Sequence, residues 1–149
     1  MKMIFKRVIP VLLATLLLQS CIFYAAYGIL RTIQDINMLL RTVHSSMTTI
    51  QTVLKEGTDL KRAAKDGRLI STLAEKIPGL IRGQVEKAVS DKIGLLSGDL
   101  KTSALNLTKH AVDENLKEAY QAYNEMADTY NKFTELMADL AQTASPVSP

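Results

Sequence analysis

Tryptophan is missing from this chain, cysteine occurs once (Cys21), and histidine twice (His44 and His110). A single cysteine excludes an intramolecular disulfide framework and a multi-cysteine zinc site. Two histidines far apart in sequence leave little for a catalytic centre, so no catalytic residue, metal or cofactor is expected. Aromatic residues are scarce: five tyrosines and three phenylalanines, with none between residues 28 and 119. That gap argues against a large core built on stacked rings, each of which buries a large area. Charge of one sign is also lacking. Eighteen Lys+Arg stand against 15 Asp+Glu, for a net +3. The concentrated basic excess of a nucleic-acid binder is not there, and nucleic acid is not an expected partner.

What charge there is falls into blocks. Residues 1–54 are net +4, residues 55–110 net +4, and residues 111–149 net −5. Lys2, Lys6 and Arg7 precede Val8–Leu30, 23 residues without a charge. At ~1.5 Å rise per residue that run makes ~35 Å of helix, enough to cross a hydrocarbon core of ~30 Å. The basic flank on its N-terminal side places the bulk of the chain outside the cytoplasmic membrane. Phe23, Tyr24 and Tyr27 stand near the outer end, where amphipathic rings favour the interface.

A shorter reading of the same segment competes. Val8–Ser20 has the size of a signal-peptide core, and Leu18-Gln19-Ser20-Cys21 resembles the lipobox of bacterial lipoprotein signals. The resemblance covers the first 21 residues and implies cleavage before Cys21 and acylation of its thiol. Where such proteins continue with a polar tether, Ile22–Tyr27 stays apolar, as an uncleaved span would. Both readings make residues 1–30 a signal or membrane anchor. Both put the remaining residues in the periplasm or cell envelope, with the membrane as a partner.

Beyond the anchor, apolar residues recur at Ile29, Ile33, Ile36, Leu40, Val43, Met47, Ile50 and Leu54, spaced alternately by four and three. This is a coiled-coil seam of period 3.5 and predicts a heptad helix over residues 31–56. Leu-type residues at a with Ile at d disfavour a parallel dimer and favour higher order. The seam is accordingly expected to serve as a homo-oligomer interface or to pack on other helical envelope proteins. His44 flanks it as a polar residue.

Residues 57–99 read as broken amphipathic helices. Gly57 suits a helix C-terminus, Thr58 or Asp59 the next N-cap, and Ile77-Pro78-Gly79 a second break. Residues 80–97 form an amphipathic stretch with basic side chains on one face, which suits packing on the protein's own helices or lying on a membrane surface. A second seam then runs through Val112, Leu116, Ala119, Tyr123, Met126, Tyr130, Phe133, Met137 and Leu140, with Leu105 one heptad earlier. It predicts one long helix over residues 100–142. Small and large residues alternate in it, which favours antiparallel or intramolecular packing. Residues 143–149 read as a disordered tail ending in Ser-Pro-Val-Ser-Pro.

His110, Asp113 and Glu114, at i, i+3 and i+4, would share a helix face, as a weak metal site or a surface ion-pair group. The expected fold is all-α. A membrane segment continues into a long heptad helix, followed by short broken helices and a long C-terminal heptad helix, in an elongated bundle or coiled coil. The expected function is non-enzymatic: an envelope-anchored assembly subunit of the kind used in secretion, conjugation or phage-related machinery, by analogy of architecture alone. Two alternatives are a channel or lysis-type membrane-active protein and a helical ligand-binding lipoprotein.

Overall fold

A computed structural model describes residues 2–144, with side chains from Gly28 onward. The expected anchor Val8–Leu30, apart from its last three residues, and Cys21 lie outside the described side chains, as does the tail after Ala144. Four helices follow one another: α1 (Lys2–Glu56), α2 (Leu60–Ile81), α3 (Lys87–Val112) and α4 (Leu116–Ala144). There is no strand among the described residues.

Each helix packs on its two neighbours in the order α1–α2–α3–α4–α1, and among the described residues the backbones of neither diagonal pair come close. With connections this short, successive helices must reverse direction, and the result is an up-and-down four-helix bundle. Residues 28–56 of α1 match α4 in length, 29 residues, which makes the bundle ~43 Å long at the standard rise.

The turns follow from local chemistry. Gly57 takes φ +65° just past the end of α1, the left-handed C′ position that glycine fills without a Cβ penalty. Asp59 then caps α2, its Oδ1 accepting from the Arg62 amide at 3.3 Å. Between α3 and α4, Glu114 takes φ 56°, and the Asn115 Oδ1 accepts from the Glu118 amide at 3.3 Å. Asn115→Ala removes that cap. It is expected to cost about 1 kcal/mol, read as a lower urea midpoint at unchanged slope.

This last turn corrects one expectation. Residues 100–142 are not one helix, because Asp113-Glu114-Asn115 stops α3 and starts α4. A heptad register crosses the turn in sequence but not in space. Val112 is 56% exposed and Leu105 45%. The buried face of α3 is instead Ile93, Ser97, Leu100, Ala104, Leu107 and Ala111, again spaced by four and three.

The middle of the chain differs too. Ile77-Pro78-Gly79 does not break the chain: α2 runs through Pro78 to Ile81. A proline in the last turn gives up only one backbone bond, and Ile77 and Ile81 on either side are fully buried, so packing outweighs the local penalty. The break falls at residues 82–86, where Gly83 takes φ +77°. It divides the expected 80–97 amphipathic helix between the end of α2 and the start of α3, with Ile81 and Ile93 in the core.

All four helices put large side chains fully into the core: Ile36, Ile50 and Leu54 from α1, Ile70 and Ile77 from α2, Ile93, Leu100 and Leu107 from α3, and Met126, Phe133 and Met137 from α4. α2 and α3 bury small residues between these large ones, Ala63, Ala64, Gly67, Ser71 and Ala74 on α2 and Ser97, Ser103, Ala104 and Ala111 on α3, and Gly67 lies directly against Ala104, Leu107 and Thr108. Small side chains let two helix axes approach closely, and a buried hydroxyl sits between the two backbones. Thr108 Oγ1 donates to the Ala104 carbonyl at 2.8 Å and lies 3.4 Å from the Ala64 carbonyl. At the rim, Lys101 of α3 reaches Glu75 of α2 at 3.2 Å.

Candidate functional site

The seam expected to join copies faces inward. Ile33, Ile36, Leu40, Val43, Met47, Ile50 and Leu54 are buried, and Ile29 is half-buried at the bundle end. Their partners are α2 and α4 of the same chain. In this structure they are core residues of one chain rather than a surface offered to a copy. Of the second seam, Ala119, Tyr123, Met126, Phe133 and Met137 are buried, while Leu116, Tyr130 and Leu140 are half-buried. Val112 alone points outward. Burial pushes the phenols of Tyr123 and Tyr130 above the usual tyrosine range, as expected for rings whose charged form would sit against apolar neighbours. Exposed His44 lies over Tyr130, ring centroids 5.8 Å apart.

The aromatic residues of α4 therefore form core and rim rather than a binding stripe. Open clefts lie at the two ends of the bundle. One, about 740 Å³, is bordered by Gly57, Asp59, Leu60, Lys61, Ala111, Val112, Glu114 and Leu116. The other, about 410 Å³, is more apolar and lies where α1 enters the bundle, between Ile29, Val85, Val89, Leu140 and Ala144. Both are shallow and open to solvent.

His110, Asp113 and Glu114 do not share a helix face. α3 ends at Val112, so both acids sit in the turn. His110 instead borders a small groove with Glu118, Gln121 and Glu125 of α4. Among the described residues, no three His, Cys, Asp or Glu side chains are grouped to hold a metal ion. Among the residues from Gly28 to Ala144, whose side chains are described, no helix is long and apolar enough to cross a membrane.

What the sequence reading missed is the outer face of α3. Leu95, at 70%, is the most exposed of the large apolar residues described, and Leu105 and Val112 lie on the same side. Gly94 and Gly98 beside them have open space where a Cβ would stand. The signal was available: Leu105 and Val112 are two turns apart, and Leu95 precedes Leu105 by ten residues, close to three turns. No protein-family model matches this chain, and neither a curated protein nor a solved structure shows significant similarity to it.

Proposed function

We propose that this chain is a non-enzymatic, membrane-anchored helical subunit that serves as a spacer or assembly part in a bacterial envelope complex. In this reading residues 1–30 hold the chain to the membrane, as a span or through acylated Cys21. The bundle works outside the cytoplasmic membrane and associates with further copies. One observation carries the reading. The uncharged run Val8–Leu30 continues without a turn into the helix whose C-terminal half supplies one wall of a bundle. A tether joined by one continuous helix to a bundle that closes its own core suits holding and spacing. Since the first seam is occupied within the chain, association belongs to the outer surface and not to Ile29–Leu54.

The test is the intact mass of the protein recovered from bacterial membranes. A chain beginning at Cys21 with added acyl mass supports a lipid anchor, and a full-length unmodified chain supports a spanning helix. Recovery as a cleaved, unacylated, freely soluble protein overturns the reading.

A further inference from the structure

The outward face of α3 is a heptad seam of its own. Residues 88, 91, 95, 98, 102, 105, 109 and 112 are spaced alternately by three and four, all eight are exposed, and they lie opposite the buried Ile93–Ala111 face. Their identities read as a mirror about Leu100. We propose that two copies of this chain pair through this face, α3 antiparallel to α3 of the partner, on a twofold axis level with Leu100. The inference rests on the self-association in the functional reading above and gives it a surface.

In that register Leu95 meets Leu105 of the partner subunit, Ala88 meets Val112 of the partner subunit, and Gly98 meets Thr102 of the partner subunit. Asp91, which pairs with Lys87 of its own helix at 2.6 Å, meets Lys109 of the partner subunit, so a carboxylate stands between two cations at both ends. These are the a-to-d′ layers of antiparallel coiled-coil packing. A parallel pair would set Lys109 against Lys109 with no carboxylate opposite either, so charge favours the antiparallel arrangement.

The small centre fits close contact. Thr102 Oγ1 donates to the Gly98 carbonyl at 2.9 Å, which satisfies the hydroxyl within its own helix. A methyl group placed on Gly98 would have no neighbour within 4 Å in the single chain. A mid-helix glycine there costs up to ~1 kcal/mol relative to alanine, and nothing inside the bundle repays it. Close approach of a second helix does. Next to the axis, Asp99 faces Asp99 of the partner subunit on one flank and Lys101 faces Lys101 of the partner subunit on the other. Glu75 holds Lys101 at 3.2 Å, and Lys132 of α4, which pairs with Asp128, also lies within electrostatic reach of Asp99. An interface that repeats the same patch on both sides is the ordinary form of a twofold dimer.

The experiment uses the full chain, with Cys21→Ser, purified in mild detergent. Leu95→Cys and Leu105→Cys variants are oxidised separately and mixed, then run on non-reducing gels. Cross-linked dimer in the mixture, and little in either variant alone, is the expected result. Cross-linking of Leu95→Cys with itself, or none in the mixture, overturns the proposal. In parallel, sedimentation of Asp91→Lys should show a weakened dimer, and Asp91→Lys with Lys109→Asp a restored one. Leu95→Asp with Leu105→Asp should weaken it by roughly 30-fold or more, the effect of losing central contacts, with an unchanged circular dichroism spectrum. A dimer indifferent to these changes overturns the α3 interface while leaving self-association standing. A chain that is monomeric throughout overturns both.

Discussion

Phe133→Ala is expected to destabilise the bundle by about 3–5 kcal/mol, the range for truncating a large buried aromatic. Phe133 is the largest of the fully buried side chains, and the others are all aliphatic or methionine. Alanine there leaves a void that its neighbours must collapse into or leave empty. A domain of this size has only ~5–15 kcal/mol of stability in total, so the loss is a large fraction of it. Unfolding by urea, followed by far-ultraviolet circular dichroism on the full chain in detergent, reads it as a shift in midpoint. Met38→Ala serves as the reference, since Met38 is 60% exposed and changes at such sites stay within ~0.5 kcal/mol. Equal midpoints for the two variants would mean that Phe133 is not in the core.

Gly67→Ala is expected to lose stability even though alanine is the better helix former. A Cβ at residue 67 would stand 2.5 Å from Thr108 Oγ1, 3.0 Å from Leu107 Cδ2 and 3.1 Å from the Ala104 carbonyl oxygen. The carbonyl belongs to the α3 backbone and cannot swing aside, so the helices must separate where they are closest. Overpacking of this kind costs about 1–3 kcal/mol, against a propensity gain of up to ~1 kcal/mol. Gly94→Ala, with open space at its Cβ, keeps the gain without the clash and should be stabilising. Thr108→Ala in the Gly67→Ala background removes the nearest atom and should recover part of the loss, a coupling that a double-mutant cycle isolates. If Gly67→Ala melts above the parent chain, the close α2–α3 contact is wrong.

The helical class and the inward face of α1 were readable because Ile, Leu, Val and Met repeat there without interruption from Ile29 to Leu54. The ends of α1 and α2 near Gly57 and Asp59 were readable for the same reason as any turn: glycine and aspartate suit those backbone positions. α3 defeated the reading because its true core face is built of Ser97, Ala104 and Ala111 between larger residues, while Leu95, Leu105 and Val112 stand outside. Ranking residues by hydrophobicity then selects the wrong side of the helix. The turn at 113–115 contains neither glycine nor proline. Its signal was the Asn115-to-Glu118 cap spacing, masked by a heptad count that happened to continue across it. Proline at 78 misled in the opposite sense, since buried isoleucines hold the last turn of α2 together. That the first seam closes within one chain is a matter of tertiary pairing, on which periodicity alone is silent.

The N-terminal part of α1 enters the bundle at one end, beside Ile29, Val85 and Leu140, and this has a mechanical consequence. Tension on the N-terminal segment acts along the axis of α1, the same helix that carries Ile33 to Leu54 into the core. Such a pull shears the whole α1 seam against α2 and α4 at once, so its contacts share the load instead of parting one after another. In a pair joined through antiparallel α3 helices, the two attachment points lie at opposite ends, ~43 Å apart by the helical rise of 29 residues. The pair is then a strut, loaded lengthwise, that fixes the distance between whatever its two ends are fastened to.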